Sequence, residues 1–429
     1  MERVVKVGLL GLGTVGSGIY EILNINGEEI ARRAGAKIQI KKILVNDPAK
    51  KRSIHVDTNL LTTDPWEIIR DPDIDVIIEL IGGTAQARRY VEESLREKKY
   101  VITANKDLMA LAGGELLSLA DEAGRNIYYE ASVGGGIPLI RPLKYSLGAN
   151  KIIRLMGIIN GTTNYILTRM SLDKMDFQSA LQEAQEKGFA EQDPSNDLDG
   201  KDAAYKLCIL AGLAFNSIIR YEDVHVEGIR GLDARDIHYA EELGFTLKLL
   251  AVGEEMEEGL ALKVQPTLLP SAHPLSGVLN ENNALYLVGN AVGEVMFYGP
   301  GAGSMPTGSS VAADLIEVAR GISNHVENNI MEMSFDKKRI LPLEMLFSAF
   351  YLRLQALDQP GVFAGVANIF ADEGVSLDRI IQKRSGEGKA EIVLVTHVVA
   401  ESSFKRALER ITTITPIERV NSLFRVMEN

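Results

Sequence analysis

The chain has 429 residues, of which 46% are apolar and 24% charged, and its formal net charge is −12. That length accommodates two or three domains with substantial cores, while the acidic balance excludes a protein built mainly to grip nucleic-acid phosphates. No apolar run reaches the roughly 18 residues of a membrane span, and no basic stretch followed by a long apolar one opens the chain, so a soluble, cytoplasmic protein is expected. The single cysteine, Cys208, rules out an internal disulfide, and its apolar helical surroundings predict a buried thiol.

Residues 4–10 read as a buried first strand. Gly11, Gly13 and Gly16 follow in Gly-x-Gly-x-x-Gly spacing, and helical periodicity runs from Thr14 to Leu23. A strand over 38–45, a helix near 66–70, a strand over 76–80, a helix over 88–98, a strand over 100–103 and a helix over 114–123 continue the pattern. Strands alternating with helices predict a doubly wound parallel sheet.

A second region begins near Tyr128, with strands expected over 152–159, 260–267, 284–292 and 295–298. Its helices are expected near 164–170, 177–187, 202–213 and 234–243, giving a mixed α/β domain. Gly299–Ser310 is glycine-rich and opens a helix over 311–322, but lacks the lysine of a nucleotide P-loop. Residues 326–347 read as a linker. From 348 to 429 the order strand, helix, strand, strand, helix, strand is ferredoxin-like.

Five segments carry polar chemistry. The first three glycines permit a tight turn, close backbone approach to a pyrophosphate and helix–strand packing, in front of a helix N-terminus. The second strand ends at Asn46, followed by Asp47, which suits a ribose 2′-hydroxyl, and by Lys50, Lys51 and Arg52, which suit a 2′-phosphate. The basic trio favours NADP, with NAD left possible. Lys106 follows Thr103-Ala104-Asn105 at a strand end, where open α/β sheets bind ligands. Glu130 to Pro138 is a second glycine loop, fit for a cation, an anion or a hinge.

The fifth segment is residues 188–206. Glu191, Asp193, Asp197, Asp199 and Asp202 crowd one loop, and Asp202 and Lys206 stand four apart on a helix. Carboxylates that can hold an ammonium, beside a lysine that can move a proton, suit carbonyl chemistry on a small amino acid. An EF-hand register would place Ser195 and Lys206 at its first and twelfth positions, which excludes calcium. The six histidines show no metal spacing.

Together Gly-Leu-Gly-Thr-Val-Gly (11–16), Thr-Ala-Asn-Lys (103–106), Glu-Ala-Ser-Val-Gly-Gly-Gly-Ile-Pro (130–138), Asn-Gly-Thr-Thr-Asn-Tyr-Ile-Leu (160–167) and the acidic block resemble, in order, the motifs of homoserine dehydrogenases. The C-terminal module resembles an ACT domain, with Asp358–Val362 as its loop into the first helix. The resemblance implies a Rossmann domain over 1–129 completed by 305–325, a substrate-binding and dimerisation domain over 130–304, and a regulatory ACT domain over 348–429.

It further implies reversible reduction of L-aspartate 4-semialdehyde to L-homoserine. Lys206 would be the proton donor, with Lys106 close by and Asp202 beside it. Glu191, Asp197, Asp202 and Thr162 would meet the substrate. Gly11, Gly13, Thr14, Val15, Gly16, Asn46, Lys50, Asn105, Lys106, Gly188 and Gly303 would line the cofactor. Backbone carbonyls of Glu130, Val133, Gly135 and Ile137 would hold Na+. Many relatives carry an arginine where Asn46 stands, so both cofactors remain open. L-threonine is the expected effector, and a homodimer or homotetramer the expected assembly. A sensor without turnover, or an enzyme of another amino-acid semialdehyde, are the competing readings.

Overall fold

The computed structural model describes residues 3–326, 336–386 and 388–427. Its contacts divide into two compact units, one of residues 1–152, 205–221 and 288–337, the other of 153–204, 222–287 and 338–429.

The first unit opens with β1 (Val4–Leu10), α1 (Thr14–Ile25), α2 (Gly27–Ala34), β2 (Lys37–Leu44), β3 (Leu61–Thr62) and α3 (Trp66–Ile69). There follow β4 (Val76–Glu79), α4 (Ala85–Arg96), β5 (Tyr100–Thr103), α5 (Lys106–Glu122) and β6 (Ile127–Tyr128). The strands form one sheet in the order β3-β2-β1-β4-β5-β6, and every pairing is parallel. Val5, Val7, Leu9, Val76 and Ile78 are fully buried, as strands covered on both faces require. The order reverses between β1 and β4, which puts the switch-point crevice at Gly11 and Glu79.

Next in the chain are β7 (Ile152–Ile158), α6 (Gly161–Leu172), α7 (Phe177–Glu186), α8 (Ser195–Leu198) and α9 (Lys201–Phe215). Then come β8 (His225–Val226), α10 (Ala234–Glu242), β9 (Phe245–Met256), β10 (Gly259–Pro270), β11 (Asn282–Gly289), β12 (Gly293–Pro300) and α11 (Ser304–Ser323). α11 returns to the first unit and packs on α1. Val311, Leu315 and Val318 join the core that holds Val5, Leu9 and Ile19, and a Cβ on Gly18 would lie 2.0 Å from the Ser304 carbonyl oxygen.

The C-terminal module comprises β13 (Phe347–Leu357), α12 (Val362–Asp372), β14 (Leu377–Arg384), β15 (Lys389–Thr396), β16 (Val399–Ala400), α13 (Glu401–Ile411) and β17 (Ile417–Val426). Its four long strands lie in the order β17-β13-β15-β14 and are antiparallel. Through β17 pairing with β10 this sheet continues into the strands β11-β7-β9-β10. Arg353 on β13, 1% exposed, bonds Asp236 of α10 at 2.6 Å and Glu391 at 2.8 Å.

Four elements show the main departures from expectation. α5, expected over 114–123, begins at Lys106 because Asn105 caps it there, and it runs through Gly113 and Gly114. α11 begins at Ser304, its Gly308 lying close against Gly18. α2 and the twelve-residue β9 are absent from the expected set. β9 is buried along most of its length and built partly of helix formers, so no alternation marks it. Part of the expected linker 326–347, residues 327–335, lies outside the described residues.

Candidate active site

At the end of β1 the glycine loop is shaped by backbone contact. Gly11 has φ +110°, and a Cβ there would lie 2.7 Å from the Leu80 carbonyl oxygen. A Cβ on Gly16 would sit 2.3 Å from the Gly11 carbonyl oxygen. Beside Gly13, the residue before α1, a Cβ would meet nothing within 4 Å. The loop is closed against itself but open in front of the helix N-terminus that Thr14 and Val15 begin, where an anion is favoured. Ser304, next to Gly303, donates its hydroxyl to the Thr14 carbonyl at 2.8 Å.

Across the crevice, β4 ends in Glu79, which is fully buried. Its carboxylate accepts from the Thr103 hydroxyl at 2.6 Å and from the Ile81 N–H at 2.9 Å. Burial holds this carboxyl above its ordinary range, against those hydrogen bonds. Thr103 in turn accepts from the Asn105 N–H, and the Asn105 side chain caps α5 by accepting from the Leu108 N–H at 3.0 Å. Lys106, the first residue of that helix, is thereby set on a rigid corner.

At the end of β2, Asn46 and Lys50 are exposed. Arg52 folds back on the turn, donating to the carbonyls of Asp47 at 2.8 Å and Lys50 at 2.9 Å. Asp47 accepts from the Ala49 N–H at 2.8 Å. Of the basic trio, Arg52 therefore braces the backbone while Lys50 and Lys51 reach solvent.

The turn from Glu130 to Ile137 is buried. The Glu130 carboxylate accepts from the N–H groups of Leu139, Ile140 and Arg141 at 2.6, 2.8 and 2.9 Å, and its own N–H donates to Asp314 at 3.0 Å. The Ser310 hydroxyl donates to the Gly135 carbonyl at 2.6 Å, which leaves that oxygen a second lone pair. Carbonyl oxygens held in a tight, buried turn are the hard donors a cation such as Na+ takes. Among the described residues no group of three or more His, Cys, Asp or Glu could hold a metal ion.

In the second unit the acidic loop sorts its carboxylates. Asn160 caps α6 by accepting from the Thr163 N–H at 2.9 Å, and its amide donates to Asp197 at 2.6 Å and Asp202 at 2.9 Å. Asp193 accepts from the Ser195 hydroxyl and N–H, and the hydroxyl bond above all holds it below the usual range. Asp199 is held low chiefly by its hydrogen bonds from Arg230. Glu191 is exposed. Thr162 donates to the Phe189 carbonyl at 2.5 Å, and Gly188, at φ +76°, ends the turn after α7. α9 carries Asp202, 7% exposed, and the half-buried Lys206 one turn later.

Glu79, Asn160 and Arg230 are absent from the residues expected from sequence. Only Glu79 left a signal, an acid closing the apolar run Val-Ile-Ile. Asn160 opens the motif 160–167, but nothing there points to Asp197 and Asp202 as its partners, and nothing local to Arg230 points to Asp199, 31 residues earlier.

The crevice and open glycine loop of the first unit are those of a dinucleotide-binding α/β protein, and the second unit carries a carboxylate-rich loop of its own. The comparisons with known proteins narrow that class. Residues 11–130 match the family model for the NAD-binding domain of homoserine dehydrogenase, 138–316 the model for homoserine dehydrogenase, and 350–414 that for the ACT domain. The homoserine dehydrogenase of Bacillus subtilis is 44% identical over 100% of this chain and 99% of its own. The crystal structure of a homoserine dehydrogenase from Thiobacillus denitrificans superposes with a TM-score of 0.93 at 39% identity, covering 100% and 99% of the two chains. A hyperthermophilic archaeal homoserine dehydrogenase in complex with NADPH has a TM-score of 0.62 at 28% identity, over 74% of this chain and 98% of its own. The chain belongs to the homoserine dehydrogenase family, oxidoreductases acting on a CH–OH group. Among the described residues no helix is long and apolar enough to cross a membrane.

Proposed function

We propose that this enzyme interconverts L-aspartate 4-semialdehyde and L-homoserine with NADP, NAD serving as a poorer alternative, under feedback by L-threonine at the ACT domain. The full-length match to homoserine dehydrogenases carries the reading. A bound nicotinamide supplies the hydride to the aldehyde carbon, or accepts it from the alcohol. The Lys206 ammonium gives the proton to the nascent alkoxide oxygen. In the oxidising direction the same group takes the proton back from the alcohol. Glu191 and Asp202 hold the substrate's ammonium and hydroxyl ends, Asp197 orients the lysine, and Thr162 fixes the loop by its bond to Phe189.

Gly11, Gly13 and Gly16, with Thr14 and Val15, take the pyrophosphate. Asn105 and Lys106, with Gly188 and Gly303, line the nicotinamide side. Asn46 and Lys50 meet the adenosine ribose; the neutral Asn46 and cationic Lys50 accept either a 2′-hydroxyl or a 2′-phosphate, and the NADPH complex of the archaeal relative favours the phosphate. The carbonyls of Glu130, Val133, Gly135 and Ile137 hold Na+. The domains follow the boundaries 1–129 with 305–325, 130–304 and 348–429, and the protein works as a cytoplasmic homodimer or homotetramer.

Initial rates at 340 nm with L-homoserine and NADP+ or NAD+, with and without L-threonine and Na+, test this. Homoserine-dependent reduction that is faster with NADP+ and lowered by millimolar threonine is the expected result. No turnover with either cofactor would reject the substrate assignment. Unchanged rates with threonine would reject the regulatory one.

A further inference from the structure

The acidic loop is held from two sides. Asn160 grips Asp197 and Asp202 from one. From the other, residues 227–230 lie directly against it. The Ile229 N–H donates to the Leu198 carbonyl at 2.8 Å, and Ile229 is fully buried. Arg230 bonds both carboxylate oxygens of Asp199, one of them at 3.4 Å. A Cβ on Gly228 would stand 2.1 Å from the Leu198 carbonyl oxygen, so the two backbones touch and a shift in one displaces the other.

This strap begins at Glu227, whose partner comes from the C-terminal module. Arg425, on β17, donates to the Glu227 carboxylate at 2.5 Å. The same guanidinium is anchored in its own module by Glu401 at 3.1 Å, and Glu401 accepts from the Ser348 hydroxyl at 2.7 Å. Arg425 is 7% exposed, so its charge is largely desolvated and depends on both carboxylates. His225 also reaches Glu227, at 2.7 Å, and the Glu227 N–H donates to the Val264 carbonyl of β10 at 2.7 Å. The sequence from module to loop is thus Arg425, Glu227, Gly228–Arg230, then Leu198 and Asp199, every step a hydrogen bond, a covalent link or a backbone contact.

We propose that Arg425, a residue of the regulatory module, is a positioning residue for the substrate loop, acting through Glu227 and the strap 228–230. The inference rests on the reading that residues 191–202 meet the substrate. It makes the C-terminal module a structural part of the substrate site, whatever effector that module takes.

The test uses the full-length enzyme with Arg425→Met, Arg425→Lys, Glu227→Gln and the double variant Arg425→Met/Glu227→Gln. The KM values for L-homoserine and NADP+ are measured separately. Hydrogen exchange is followed in the peptide covering 195–200. Arg425→Met and Glu227→Gln should each raise the homoserine KM about fivefold and leave the NADP+ KM within about twofold; the double variant should do no more than the larger single change, as residues acting in one path require. Arg425→Lys, which keeps the charge but loses the fork, should fall between. Exchange in 195–200 should quicken in the same order. An unchanged homoserine KM, both KM values rising in parallel, or exchange identical to wild type would overturn the proposal. Should Arg425→Met fail to fold, Glu227→Gln and Arg425→Lys decide. Should the wild-type enzyme not turn over homoserine, the functional reading falls, and the exchange experiment alone decides whether Arg425 holds the loop.

Discussion

The glycine loop at 11–16 and the acidic loop at 188–202 are both short segments proposed to meet ligands, yet they are held in opposite ways. The glycine loop is fixed by what it lacks. Gly11 and Gly16 have no room for a methyl group, and Gly13 faces open space. The acidic loop is fixed by what it carries, with Asn160, Ser195 and Arg230 each claiming particular carboxylates. The first loop presents N–H groups that any pyrophosphate satisfies. The second presents charges that, on the proposed function, meet the amine and hydroxyl groups of the substrate. Damage to the first should therefore fall on the cofactor, and damage to the second on the substrate.

The largest break in that division is expected at Lys206, proposed above to serve the chemistry rather than either binding step. Lys206→Ala should lower kcat by about 10²–10⁴, the usual range for a lost acid–base group. NADPH binding, followed by its fluorescence, should be unchanged. Activity at a tenth or more of wild type would remove Lys206 from this role.

Gly13→Ala comes next. Its Cβ clashes with nothing in the protein, so the melting temperature should hold. The methyl group should nevertheless displace the pyrophosphate and cost up to about 10²-fold in kcat/KM for the cofactor. Gly16→Ala, whose Cβ would sit 2.3 Å from a carbonyl oxygen, should lose cofactor binding and stability together. Equal melting temperatures for the two variants would contradict the steric account.

Asn160→Asp tests the other loop. The new carboxylate still caps α6 through the Thr163 N–H, but it replaces two donated hydrogen bonds with repulsion of Asp197 and Asp202. The homoserine KM should rise about tenfold, in line with the value of hydrogen bonds to charged groups, with the cofactor KM unchanged. A rise in the cofactor KM alone would reverse the assignment of the loops.

The same contrast governs how much could be read in advance. Steric requirements leave a sequence mark, because only glycine meets them; Gly11, Gly13 and Gly16 and their flanking strand and helix were all legible. The parallel sheet and the ferredoxin-like module were legible for a related reason, since their buried strands alternate with helices in regular lengths. Side-chain networks leave little mark. Five carboxylates announce a charged loop, but nothing in their order says that Asp193 and Asp199 are tied up by Ser195 and Arg230 while Asp197 and Asp202 share one amide. Glu79 was visible as an acid ending a buried strand, yet its partner Thr103 lies 24 residues away. β9 went unseen because burial along most of its length removes the alternation that marks a half-exposed strand, and because it contains a lysine.

That lysine gives the smallest and most specific effect. Lys248, 2% exposed, donates to the Asn164 side chain at 2.9 Å and to the Val278 carbonyl at 2.5 Å. Asn164 in turn donates to the carbonyls of Val278, Asn280 and Asn282, so the lysine braces the loop that backs α6. Burial lowers its pKa from the ordinary 10.5 to about 8. The unfolded chain therefore binds more protons than the folded one between those values, and the stability contributed at this site rises with pH. The cost of burying the charge is full below pH 8 and gone above 10.5. Lys248→Met removes that dependence while keeping the side chain's length. Other buried lysines, such as Lys99 and Lys263, are common to both proteins and cancel in the difference. Wild type should gain about 1 kcal/mol on the variant between pH 8 and pH 9, read from urea midpoints at each pH. Curves that stay parallel across that interval would show that Lys248 does not titrate there, and the brace would then rest on its hydrogen bonds alone.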